Sequence, residues 1–229
     1  MSFYFYLYIF FLIIVILGAS FFSQYMVSKR EKESFTFQNQ DKCVILIGDS
    51  IFKNNSYVEH SKAIENLLNK SDKFSSICFA ENNSKISNIY FQIDKIPLEL
   101  NKESTTIYVS AGGNDILDKY VERNDIDESD ISYLHSIFGS YKNLIKTIKV
   151  KMSNAKLVLL DIYYPSNTKF MPYKNIIKKW NNEIHEYGFD NNIQVMKVSQ
   201  LLTKSEDFTL DIEPSEIGGS KIVNFISNN

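Results

Sequence analysis

The 229-residue chain lacks an excess of charge of either sign. It has 25 Lys and Arg against 27 Asp and Glu, a formal net charge of −2. Nucleic-acid binding, which usually shows as a basic excess, gets no support from that balance. Cysteine is scarce: Cys43 and Cys78 are the only two. They are too few for a disulfide framework, and each falls in an apolar run that reads as a strand, so buried free thiols are expected. No Cys/His spacing suggests zinc, and no metal or other cofactor is expected. Histidine is limited to His60, His135 and His185. No internal repeat is visible. With 44% hydrophobic and 23% charged residues, the composition suits one globular domain plus an appendage.

The appendage is at the amino end. Residues 3–22 contain no charge and are dominated by Phe, Tyr, Leu and Ile. At ~1.5 Å rise per residue, about 20 such residues span the ~30 Å hydrocarbon core of a bilayer. Tyr4, Tyr6 and Tyr8 suit its interface. A cleaved secretory signal needs a positive start, yet no Lys or Arg precedes Lys29, although Gly18-Ala19-Ser20 offers a cleavage site. Residues 1–28 are therefore read as a transmembrane anchor or uncleaved signal of a single-pass membrane protein. Lys29, Arg30 and Lys32 follow the span, which favours a cytoplasmic domain. Holding an enzyme outside the membrane is the other common use of this plan, so the side stays open. Residues 29–41 are polar and read as a linker, and residues 42–229 as the folded domain.

Within the domain, apolar runs alternate with helical patterns. Residues 44–47, 76–79, 106–109, 156–160 and 193–198 read as strands. Residues 57–68, 86–96, 131–152, 174–187 and 216–226 carry apolar side chains at helical spacing. Such alternation implies βαβ units and an α/β fold, a three-layer α/β/α sandwich around a five-stranded parallel sheet. The acidic stretch from Asp118 to Asp130 reads as a solvated loop.

Two strand ends carry unusual residues. Gly48-Asp49-Ser50 follows the first strand and Gly112-Gly113-Asn114-Asp115 the third. Ligands bind at the carboxyl ends of strands in open parallel sheets. Each motif alone is an ordinary turn. Together, each directly after an apolar strand, they point to acyl transfer, which needs a nucleophile and preorganised donors for an oxyanion. Ser50 supplies the hydroxyl. The Asn114 amide and the Ser50 N–H supply donors. Gly48 permits a sharp turn, Gly112 and Gly113 allow backbone to approach a substrate closely, and Asp49 and Asp115 belong to the same region.

These blocks resemble those of the SGNH/GDSL hydrolases, serine esterases and lipases with a flavodoxin-like three-layer fold. The likeness covers about residues 42–226. Gly48-Asp49-Ser50 looks like the family's first block, with Ser50 as nucleophile. Gly112-Gly113-Asn114-Asp115 looks like its third, with Asn114 as oxyanion donor. The last block departs from the pattern, which reads Asp-Xaa-Xaa-His before Pro. Here Leu210-Asp211-Ile212-Glu213 precedes Pro214, so Glu213 stands in the histidine's place and Leu210 in the aspartate's. The second block usually supplies a glycine N–H, but Ala80-Glu81-Asn82-Asn83-Ser84 has no glycine, and Asn83 or Asn82 is nearest. A branch of the family with Ile-Glu-Pro-Ser in its last block is similar, and residues 48–58 look like that branch too.

The resemblance implies a membrane-anchored hydrolase of an ester, such as an O-acyl group on a glycan or lipid, with Glu213 taking the Ser50 proton. A free Glu, with pKa ~4.3, is a poor base for this, and burial would improve it. Two rivals stay open. One is a catalytically impaired domain that binds a carbohydrate or acyl ligand, favoured by the missing His, Asp and Gly. The other is a membrane-tethered interaction scaffold. Among the histidines, His60 and His135 lie in segments that start near the strand-end edge and are the better stand-ins for the missing base.

Overall fold

The computed structural model describes residues 41–120 and 128–229. The expected membrane helix, and the linker up to residue 40, lie outside them. Among the described residues, no helix is long and apolar enough to cross a membrane.

Five strands form one sheet: β1 (Cys43–Ile47), β2 (Ser75–Cys78), β3 (Thr105–Val109), β4 (Lys156–Leu160) and β5 (Gln194–Met196). Their order is β2-β1-β3-β4-β5, and every pairing is parallel. All five residues of β1 are buried, as a central strand covered on both faces requires. Alternate residues face opposite layers. Ile45, Ile47, Ile107, Val109 and Leu159 pack against helices α2 (Ile86–Asp94), α4 (Glu128–Lys151) and α5 (Lys174–Asp190). Val44, Leu46, Tyr108, Val158 and Leu160 face α1 (Ile64–Leu68), α6 (Val198–Leu201) and α7 (Glu216–Ser227). Each such buried aliphatic side chain contributes about 1.5–3 kcal/mol by leaving water, so the alternation drives the sandwich. A further helix, α3 (Gly113–Tyr120), starts directly after β3.

The three-layer arrangement is the one expected, with local differences. The expected helix over 57–68 shortens to α1, because Ala63 is extended and the Asn54 side chain caps a new start by accepting from the Ile64 N–H at 2.9 Å. The acidic stretch is not simply a loop. Asp118 lies in α3 and pairs with Lys85 at 2.7 Å, while Asp130 is fully buried in α4. Residues 121–127 lie outside the described residues. Both cysteines are free. Burial holds the Cys43 and Cys78 thiols up at about 11 and about 12, so neither is a reactive thiolate at neutral pH.

Helices α3 and α6 were not among the expected ones, and two further unforeseen elements border the site. A 3-10 segment, Thr168–Tyr173, precedes α5. A two-stranded hairpin, β6 (Phe208–Thr209) with β7 (Glu213–Pro214), precedes α7 and carries Glu213.

Candidate active site

Carboxyl ends of β1, β3 and β4 open into a cavity of about 500 Å³. Asp49, Ser50, Asn83, Ser110, Gly113, Asn114 and Glu213 line its polar side. Ile116, Leu117, Ile162, Phe170, Tyr173 and Ile177 line its apolar side. A cavity of about 590 Å³ opens at the opposite ends of the strands, among Lys42, Thr106 and Lys156. It holds none of the expected site residues.

Local chemistry sets Ser50 in place. Gly48 has φ +137°, and a Cβ there would fall 2.2 Å from the Ser110 carbonyl oxygen. Only glycine lets the ends of β1 and β3 come this close. The chain then turns, with the Phe52 N–H donating to the Asp49 carbonyl at 3.2 Å. Asp49 is buried, and its Oδ1 accepts from the Ser110 hydroxyl at 2.8 Å and the Ile51 N–H at 3.3 Å. Burial pushes its carboxyl up, and these two donors pull it back. Ser50 stands half-buried at the cavity wall.

Glu213 arrives from the other side. The hairpin turns through Leu210 and Asp211, at φ +46° and +71°, with the Ile212 N–H donating to the Thr209 carbonyl at 3.2 Å. Lys169 and the Asn167 amide donate to the Asp211 carboxylate. The buried Tyr163 hydroxyl donates to the Ile212 carbonyl at 2.6 Å. So held, the Glu213 carboxylate faces Ser50. Burial pushes its pKa up, the neighbouring Ser50 side chain pulls it down, and the Asp49 charge pushes it up again. Glu213 Oε2 is buried without a hydrogen-bond partner. It does not cap the following helix. Ser215 does, accepting from the Gly218 N–H at 3.2 Å. A buried carboxylate oxygen left unpartnered costs about 1–3 kcal/mol, and such groups concentrate where chemistry needs them.

Candidate hydrogen-bond donors line the third side. Asn114, at the start of α3, lines the cavity and donates one Nδ2 hydrogen to the Ser84 carbonyl at 3.0 Å. The other hydrogen is left for a ligand. Asn83 also lines the cavity and has φ +58°. That left-handed conformation is one that glycine adopts freely and Asn tolerates, so Asn83 meets the backbone requirement at this turn without a glycine. Among the described residues, no acceptor takes the N–H of Ser50 or of Asn83.

Three residues of the expected region lie outside the cavity lining. Gly48 shapes the turn from behind. Gly112, at φ +100°, makes room for Trp180, whose ring would sit 2.1 Å from an added Cβ. Asp115 caps α2 by accepting from the Ile86 N–H at 3.1 Å. Burial pushes the Asp115 carboxyl up and that N–H pulls it down. Nor does any of the three histidines line the cavity. His60 and His135, the better candidates from sequence, stay apart. The His60 carbonyl accepts from the Asn66 amide, and the His135 side chain is 64% exposed beside Glu183. His185 comes nearer, through Asp161. That carboxylate lines the cavity and accepts from the Ser199 N–H and hydroxyl at 2.9 and 2.6 Å, with the His185 Nε2 at 3.0 Å. Asp161 therefore joins β4, α5 and α6.

Parallel strand order, a serine turn after β1 and an asparagine after β3 now stand together, and solved structures match the arrangement. A lipolytic protein of the G-D-S-L family from Veillonella parvula is 16% identical, with 80% of this chain and 94% of that chain covered and a TM-score of 0.61. The residues have the fold of the GDSL hydrolases. A lipase from a goat-rumen metagenome is 18% identical over 82% of this chain and 96% of that chain, with a TM-score of 0.63. Phospholipase A1 from Streptomyces albidoflavus is 13% identical over 82% and 98%, at a TM-score of 0.59. No known family and no curated protein matches the sequence. Within the GDSL fold, this chain has Glu213 facing the serine from the hairpin before its last helix.

Sequence reasoning missed Tyr163, Asp161, Lys169 and Gln92. A signal existed for Gln92: it falls among the apolar positions Ile86, Ile89, Ile93 and Ile96, along α2 and just past its end, and the structure buries it.

Proposed function

We propose that the domain is a serine hydrolase that cleaves ester bonds, with Ser50 as nucleophile and Glu213 as its base. One observation carries this reading: the partly buried Glu213 carboxylate and the Ser50 side chain line the same cavity, beside Asn83 and Asn114, and Ser50 is among the groups that shift the Glu213 pKa. Ser50 gives its proton to Glu213 as its oxygen attacks the ester carbonyl. The oxyanion rests on the N–H groups of Ser50 and Asn83 and the second Asn114 N–H. Glu213 returns the proton to the leaving alkoxide, leaving an acyl-serine. A water then gives a proton to Glu213 and attacks the acyl carbon, and collapse releases the acid while the proton returns to Ser50. A carboxyl raised by burial suits both the basic and the acidic step better than an ordinary one.

The apolar wall suits an acyl group, and the lipases and the phospholipase A1 of similar fold support an ester substrate. An O-acyl group on a glycan or lipid is the class we assign, with residues 1–28 as the single-pass anchor that keeps the domain at a membrane. Two observations favour a second reading, an acyl- or carbohydrate-binding domain without turnover: Asn114 already commits one N–H to the protein, and no histidine lines the cavity. Hydrolysis of p-nitrophenyl acetate separates the two. The full chain turns over the ester, and Ser50→Ala and Glu213→Gln each lose about a thousandfold or more in kcat. A wild-type rate no higher than that of Ser50→Ala rejects the hydrolase and leaves the binding domain.

A further inference from the structure

The three proposed oxyanion donors come from three separate segments, and one buried side chain is linked to them through Gly48 and Ser84. Gln92 sits on α2 at 1% exposure. Its Oε1 accepts from the Gly48 N–H at 2.7 Å, and its Nε2 donates to the Gly48 carbonyl at 2.8 Å. The amide thus grips both ends of the residue that begins the Ser50 turn. Only one orientation of the amide satisfies both bonds, so its donor and acceptor ends are fixed by the backbone it holds. The same Nε2 donates to the Ser84 hydroxyl at 3.0 Å. Ser84, itself 3% exposed, directly follows Asn83, and its carbonyl receives the Asn114 amide at 3.0 Å.

Packing alone does not call for this residue. A Leu would continue the stripe of Ile86, Ile89, Ile93 and Ile96 and bury as well. The sheet offers a parallel: Asn181 on α5 grips the Ile162 peptide after β4 in the same two-bond manner, at 2.8 and 2.7 Å. The Gln92 clamp differs in its third bond, which leads to the loop carrying Asn83 and from there to Asn114. We propose that Gln92 is a positioning residue that holds the Ser50 N–H, the Asn83 N–H and the Asn114 amide in register as one oxyanion site. It acts through Gly48 and Ser84 and touches no reacting atom. The inference rests on the hydrolase reading above.

Its test compares kcat and KM for p-nitrophenyl acetate in the full chain and in Ser50→Ala, Gln92→Leu, Ser84→Ala, Asn114→Ala and the Gln92→Leu/Asn114→Ala double variant, with Tm for each. Small misplacements at a catalytic site cost up to about 100-fold in rate. Gln92→Leu loses about 30- to 100-fold in kcat with KM within about threefold. Ser84→Ala keeps both bonds to Gly48 and loses about 5- to 10-fold, which keeps the test open if Gln92→Leu fails to fold. Because Gln92 works partly through Asn114, the double variant loses less than the product of the single losses. Two results overturn the inference alone: Ser50-dependent turnover whose kcat is unchanged in Gln92→Leu or Ser84→Ala, or losses that multiply in the double variant. Turnover indifferent to Ser50→Ala overturns the hydrolase reading, and the inference with it.

Discussion

At Glu213, burial and the Asp49 charge favour the protonated carboxyl, whereas a base must be ionised. The consequence can be signed. As pH rises from the ordinary glutamate value of about 4.5 through the raised folded one, kcat/KM climbs, and it falls away on the acid side. The same shift acts on stability in the opposite sense. Between those two values the folded state holds a proton that the unfolded chain has released, so stability drops as pH rises. Glu213→Gln removes that penalty. The variant is expected to be inactive yet to melt at a higher Tm than the wild type at pH 7, with the gap closing as pH falls below about 4.5. Thermal melts of the two proteins from pH 4 to pH 8 check it. A wild type that is the more stable at neutral pH would show that Glu213 is held for structure.

Hairpin β6–β7 explains why the last block was the hardest part of the sequence to read. Strands and helices were legible because their side-chain periods, two and 3.6, follow from which faces are buried. The motif after β1 was legible because glycine and an apolar run mark a turn at a strand end. The hairpin has neither signal. Its turn places Leu210 at φ +46° and Asp211 at φ +71°, positions where Asn and Gly are the usual residues. Tertiary contacts from Tyr163, Asn167 and Lys169 impose the turn instead. A left-handed non-glycine residue costs roughly 1–2 kcal/mol, and Leu210 is 66% exposed. Leu210→Asn should therefore stabilise the domain by about 0.5–1 kcal/mol in urea unfolding, with Glu213 undisturbed. Trp180 poses the reverse case on α5. It packs at 5.3 Å from the Phe138 ring and 5.5 Å from Tyr141, and it leaves no room beside Gly112. Gly112→Ala combines overpacking with a strained φ, so a loss of about 3 kcal/mol or more in the same measurement is expected.

Across the whole molecule, the architecture gathers groups that no local pattern connects. Ser50 and Glu213 are far apart in sequence and line one cavity because β1 and the segment before α7 end at the same edge of the sheet. Asn83 joins them through a backbone conformation that Asn shares with glycine, a property of the fold that the sequence, which offered Asn83 or Asn82, does not show. The histidines show the converse. Their positions along the chain favoured His60 and His135, while the fold brings His185 to Asp161 and none to Ser50. Whether the carboxylate activates the serine is then the central question. Mass spectrometry of the intact full chain after treatment with a fluorophosphonate tests it most directly. We expect one covalent adduct per chain, mapped to Ser50, absent in Ser50→Ala and formed about 100-fold or more slowly in Glu213→Gln. An unlabelled Ser50, or labelling as fast in Glu213→Gln as in the wild type, would contradict the account.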